Sequence, residues 1–136
     1  MTPGHIMPFT PSPALLNKFR QMALERLDRI ENALGTLAES GSDESTLKTT
    51  GRELHSLKGE AGMLGFDGVF EMARACEELF EAAHRGDTQE PSCTEQMRRG
   101  MALIRERLPE PPAPPEPEAQ QFVSEAKQTL AAVDGA

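Results

Sequence analysis

Tryptophan and tyrosine are missing from this 136-residue chain, and six phenylalanines are all the aromatic surface it carries. Stacking platforms for nucleobases are therefore scarce. Positive charge is also in deficit, with 14 Lys and Arg against 22 Asp and Glu and a formal net charge of −8. Such a chain repels phosphate backbones and anionic lipid, which excludes nucleic acid and membrane surfaces as its main partners. Cysteine is reduced to Cys76 and Cys93, too few for a disulfide framework. They read as reduced thiols of a cytoplasmic protein, one of them in the core. No apolar run approaches the roughly 18 residues that cross a bilayer, so no membrane insertion is expected. The opening Met1-Thr2-Pro3-Gly4-His5 has neither the basic nor the apolar region of a secretory signal. Alternating β-branched runs are lacking too, and no strand is expected.

What the chain does have is helical periodicity. Residues 1–12 hold Pro3, Pro8 and Pro11 and form an irregular lead-in. Ser12-Pro13 then reads as an N-cap followed by proline at the first helical position. Leu16, Phe19, Ala23, Leu27, Ile30, Leu34 and Leu37 recur at threes and fours, giving an amphipathic helix to about Glu39. Glu25 and Arg29 have the spacing of an outward i,i+4 pair. Gly41 suits the C-terminal stop. A second helix runs from about Glu44 to Leu64-Gly65. A third starts near Asp67 with a stripe of Val69, Met72 or Ala73, Cys76, Leu79 or Phe80, and Ala83, stopped by Arg85-Gly86-Asp87. Pro91 and Ser92-Cys93-Thr94-Glu95 announce a fourth, Ser92 and Glu95 having capping-box spacing, and its stripe is Met97, Met101, Ile104 and Leu108. Four such helices on short loops predict an all-α, up-down-up-down four-helix bundle over residues 13–108. Residues 109–117 contain six prolines and should form an extended spacer. In the tail, residues 118–136, Phe122 or Val123, Ala126, Leu130 and Val133 allow a short fifth helix, either docked or opening a further unit. A spacer of this kind is most useful between domains, so the chain is expected to be the N-terminal piece of a longer protein.

One stretch breaks the local rules. Leu54, Leu57, Ala61 and Leu64 keep the helical rhythm, yet Gly59, Gly62 and Gly65 interrupt it. Each glycine costs roughly 1 kcal/mol against alanine inside a helix. On a helix, His55, Lys58, Gly59 and Gly62 share one face. A neutral imidazole nitrogen is a good nucleophile toward phosphorus, and the phosphoramidate it forms remains a donor. Phosphoryl transfer asks the protein mainly for positioning and charge stabilisation. Lys58 can neutralise phosphoryl oxygens, and Gly59 and Gly62 clear the surface for another protein. A carboxylate on the far ring nitrogen would fix the tautomer, and the third helix offers Glu71, Glu77, Glu78 and Glu81 for that part.

His55-Ser56-Leu57-Lys58-Gly59, then Ala61-Gly62 and Gly65-Phe66, resemble the motif of histidine phosphotransfer (HPt) domains. The likeness is closest to the domain at the N-terminus of CheA-type chemotaxis histidine kinases. It continues through Glu77, Glu78-Leu79 and Ala83-His84-Arg85-Gly86-Asp87. The resemblance implies His55 as phosphoacceptor, Lys58 as its charge partner and Glu77 as the carboxylate on the imidazole. It implies two partners, a histidine kinase catalytic domain and a response-regulator receiver domain, on a monomeric module. It implies no cofactor in this chain, ATP-Mg sitting on the kinase. Arg74 stands where some chemotaxis members have a second histidine, and joins Gly59 and Gly62 as a partner-docking residue.

Two rivals are a free-standing HPt protein charged by the receiver of a hybrid kinase and a helical adaptor without phosphoryl chemistry. His5 and His84 read as surface residues. His55, Cys76, His84 and Cys93 lack the spacing of a metal site. Met22, Met63, Met72, Met97 and Met101 read as core filling.

Overall fold

The computed structural model describes residues 11–40, 43–84 and 91–135. Every regular element among them is a helix: α1 (Pro13–Ser40), α2 (Glu44–Met63), α3 (Asp67–Ala83), α4 (Pro91–Arg107) and α5 (Pro117–Gly135). The expected all-α bundle is present. α1 packs on α2 and α4, and α3 packs on both of those partners' inner faces, closing a four-helix ring. α5 then lies across the outer seam of α3 and α4.

Local chemistry sets the ends. The Ser12 hydroxyl accepts from the Leu15 amide at 3.1 Å, so the expected cap ahead of Pro13 forms. Asp43 caps α2, accepting from the Thr46 hydroxyl at 2.6 Å and from Thr46 N at 3.2 Å, and these contacts, the hydroxyl first, hold its carboxyl below the usual range. Gly65, at φ 85°, ends α2. The Phe66 amide reaches back to Ala61 O at 2.9 Å, a Schellman turn that only an αL-tolerant residue allows cheaply. It drops Phe66 into the core, where its ring meets Phe19 at 5.0 Å. At α4 the expectation fails: the helix already includes Pro91, so Ser92 sits inside the first turn and cannot cap it. Pro91, whose missing N–H costs nothing in a first turn, is the first described residue of the helix. The stops assigned to Gly41 and to Arg85-Gly86-Asp87 lie outside the described residues.

The predicted stripes are the core. Phe19, Ala23, Leu27, Ile30, Leu34 and Leu37 of α1 face Leu54, Leu57, Ala61 and Leu64 of α2, with the α3 and α4 stripes completing the interior. Both cysteines are buried, not one, and burial pushes the Cys76 thiol up to about 12. Charged pairs fasten the outside. Arg26 binds Glu53 at 2.8 Å and Glu60 at 3.1 Å, and Arg29 also turns to Glu53 in place of Glu25. A carboxylate on the neighbouring helix offers Arg29 a less exposed partner than Glu25 on its own outer face. Arg105 reaches Asp28 at 2.7 Å, tying α4 to α1.

The proline-rich segment is a strap on the bundle. Arg20 donates to Leu108 O at 2.6 Å and to Glu110 O at 3.0 Å, and the Gly68 amide donates to Ala113 O at 3.3 Å. These backbone carbonyls find donors on α1 and α3, so the segment runs along the protein rather than away from it. α5 then docks through Ala119, Phe122 and Ala126, all buried. The tip of Phe122 enters a hole over Gly100. A Cβ at Gly100 would stand 2.3 Å from Phe122 Cζ and 2.7 Å from Cys76 Sγ, so only glycine fits there.

Candidate functional site

α2 and α3 lie side by side, and their contact places the rule-breaking stretch opposite the acidic face of α3. The Leu54, Leu57 and Ala61 side of α2 is buried, which turns His55 outward with its side chain 71% exposed. From α3, Glu77 rises between the two helices and is only 17% exposed. Its two oxygens divide the work. Oε2 lies 3.1 Å from His55 Nδ1, and Oε1 accepts from Lys58 Nζ at 2.6 Å. Among the four carboxylates that the third helix offered, the geometry selects Glu77.

The arrangement has a chemical consequence. A carboxylate only accepts, so Nδ1 carries the ring proton in the neutral imidazole and donates it to Glu77. The lone pair is left on Nε2, at the exposed end of the ring. Lys58, 21% exposed, offsets the carboxylate's charge and holds it in place. Helix geometry explains the set: His55 and Lys58 are one turn apart on α2, and one carboxylate across the seam reaches both.

The glycines differ from one another. A Cβ on Gly59 would meet nothing within 4 Å, leaving a bare shelf one turn beyond His55. At Gly62 a Cβ would stand 3.0 Å from Phe70 Cδ1, so this glycine seats the Phe70 ring against α2. Arg74 is on α3, one turn before Glu77. It pairs with Glu71 and places its guanidinium 5.7 Å from the Phe70 ring centroid.

Two expectations are corrected on either side of the site. Met63 is 68% and Met22 37% exposed, so they are not core filling. Along α2, His55, Gly59 and Met63 follow at i, i+4 and i+8, and Met63 borders a shallow apolar groove of about 260 Å³ with Leu15, Met22 and Phe19. At the far end of α3, His84 is half-buried and not the plain surface residue expected. Its ring packs on Phe80 at 4.8 Å, and both ring nitrogens are buried without a hydrogen-bond partner among the described residues. Burial lowers its pKa. The period already puts position 84 next to the buried Phe80 turn, and that was the available signal. His5 lies outside the described residues. Among those residues no group of three or more His, Cys, Asp and Glu could hold a metal ion, and no helix is long and apolar enough to cross a membrane.

The family profile of the Hpt domain matches residues 14–109. The chain belongs to the Hpt family. Its helical bundle is thus a module of histidine phosphotransfer in two-component signalling, a family whose members work with kinases and receiver domains. Among curated proteins, this Hpt chain is 31% identical over 91 residues to a gliding motility regulatory protein of Myxococcus xanthus. The match takes in 67% of the chain but only 12% of that protein. No solved structure matches it.

Proposed function

We propose that His55 is the phosphoacceptor of this Hpt domain, charged by a histidine kinase catalytic domain and discharged to a receiver aspartate. The observation that carries the reading is the Glu77 carboxylate on Nδ1 of a largely exposed His55 side chain, which leaves the lone pair on Nε2. The Nε2 lone pair attacks the γ-phosphorus of ATP held on the partner. The N–P bond forms as the P–O bond to the β-phosphate breaks, and ADP leaves. Because Nδ1 keeps its proton, the phosphorylated ring is cationic, and Glu77 faces that new charge as the triad carboxylate faces its imidazolium. Transfer onward reverses the logic. A receiver carboxylate attacks phosphorus, the N–P bond breaks, and neutral His55 is restored.

Lys58 is the cation at hand for the phosphoryl oxygens, shared with Glu77 in the resting state. The bare shelf at Gly59 and the apolar groove beyond Met63 give a partner somewhere to rest while its own active site reaches Nε2. The module works as a monomer and supplies half of an active site. The chain matches only a short part of a larger motility regulator, and on the motif's resemblance the reading places it within a larger CheA-type kinase, with ATP-Mg bound elsewhere. A chemotaxis-like pathway in the cytoplasm is the setting this reading favours.

The experiment is phosphorylation with radiolabelled ATP and candidate kinase domains, followed by transfer to receivers. Native protein should gain acid-labile, base-stable phosphate, and His55→Gln should fold and gain none. Label retained by His55→Gln would assign the acceptor elsewhere. Labelling by a phosphorylated receiver with no kinase domain present would favour the free-standing relay protein.

A further inference from the structure

Arg74 is the one cation on the outer face of α3 among the described residues. Its neighbours there are Glu71 one turn before it and Glu77, Glu78 and Glu81 after it. Three features hold it in place. Gly62 lacks the Cβ that would press on Phe70, so the ring lies close against α2. The Phe70 face in turn lies under the Arg74 guanidinium at 5.7 Å. On the other side, Arg74 shares a crevice with Val123 and Lys127 of α5. The side chain is therefore held between the Phe70 ring and α5 with its charge on Glu71, 43% exposed and a single turn from the carboxylate that binds His55.

The pairing across α2 and α3 runs antiparallel: His55 and Lys58 meet Glu77, and Gly62 meets Phe70. Arg74 lies between those two rungs and so stands opposite the open Gly59 shelf. A phosphoryl group on Nε2 brings up to two negative charges to this mouth, where Lys58 is already engaged by Glu77. A guanidinium presents a planar fork matched to phosphoryl oxygens, and its partner Glu71 is a neighbour from which it can turn.

We propose that Arg74 is a second phosphoryl-binding residue, held ready by Phe70 and Gly62, which turns from Glu71 to the phosphoryl oxygens once His55 is phosphorylated. This rests on the phosphoacceptor reading above. It makes Gly62 and Phe70 positioning residues, and gives Gly62 a reason inside the chain in addition to clearance for a partner. It also explains why a cation is kept on a face that is otherwise acidic.

The test loads the full chain with phosphoramidate, a small donor that needs no partner. The Nε2 lone pair attacks phosphorus, the P–N bond breaks and ammonia leaves. Phosphorus NMR then follows the titration of the phosphoryl group in native protein, Arg74→Gln, Arg74→Lys and Phe70→Leu. A guanidinium on the dianion favours the charged form, so native protein should show the lowest phosphoryl pKa. Arg74→Gln should raise it by about half a unit, the size of a partly exposed ion pair. Arg74→Lys should recover part of that shift, and Phe70→Leu should lose part of it. A brace with no phosphoryl contact would lower the melting temperature in Arg74→Gln and leave the titration unchanged in all four proteins. That result overturns the proposal for Arg74 and leaves His55 as acceptor. Loading of native protein that misses His55 while free imidazole reacts overturns the acceptor assignment itself.

Discussion

Placing one methyl group on the bare shelf of α2 separates what the bundle needs from what its partners need. A Cβ at Gly59 meets no heavy atom within 4 Å, so Gly59→Ala introduces no clash. It removes the glycine penalty inside a helix, about 1 kcal/mol. With an unfolding entropy near 2.1 cal/mol/K per residue, a chain of this length should melt about 3–4 °C higher. The same methyl stands where a partner's surface must pass to reach Nε2. Overpacking a close contact costs on the order of 1 kcal/mol or more, so kcat/KM for phosphorylation by the kinase domain should fall roughly tenfold. Gly35→Ala is the control. Its Cβ also meets nothing within 4 Å, but it lies on α1 away from the site. It should give the same gain in melting temperature with no change in transfer. Loading by phosphoramidate should be unchanged in both, because a small donor needs no shelf. Calorimetry and transfer kinetics on the three proteins decide the matter. Native transfer rates in a stabilised Gly59→Ala would refute the clearance argument, and a lowered melting point would refute the open surroundings on which it is built.

Two further outcomes follow from the packing. Phe122→Ala empties the hole over Gly100 and should cost about 3 kcal/mol or more, with α5 amides losing hydrogen-exchange protection before those of α2; uniform protection across both helices would show that α5 is held by something else. For His84 the sign is set by burial, which lowers its folded pKa below its unfolded one. As pH falls below about 6.5, the unfolded chain takes up a proton that the folded chain refuses, and stability is lost until the folded ring is protonated too. Denaturant titrations at pH 7.5 and 5.5 should show a smaller difference for His84→Leu than for native protein. Equal differences would place His84 outside the acid response.

The bundle was legible in the order of residues because each helix buries a stripe, and a stripe needs only a period of 3.6 to be seen. Leu27 or Ile104 could be assigned to the core without knowing what they touch. End signals were less legible. Ser12 caps because Pro13 follows it, but the Ser92-to-Glu95 spacing misled, because Pro91 is already helical. Met72, Met97 and Met101 fill the core as their period predicts, but Met22, Met63 and His84 depart from expectation for a related reason. Helical period says which face a residue is on, but neighbouring helices decide whether that face is covered. Among the described residues nothing covers Met63, whereas Phe80 packs on the His84 ring.

The sequence by itself determined the helices, their buried sides and the presence of a histidine and a lysine on one exposed turn, since all of these depend on residues within a turn or two of each other. Only the tertiary structure decided which carboxylate serves that histidine. α3 carries four glutamates in reach of its exposed side, and the register of α3 against α2 brings Glu77 to within 3.1 Å of Nδ1 and 2.6 Å of Lys58. It decided the fate of the tail as well. Phe122 and Gly100 are 22 positions apart in the chain, and nothing in a local period reveals that one is the knob and the other the hole. Pair contacts across helices depend on how far each helix slides along its neighbour, a quantity set by the fit of the whole core.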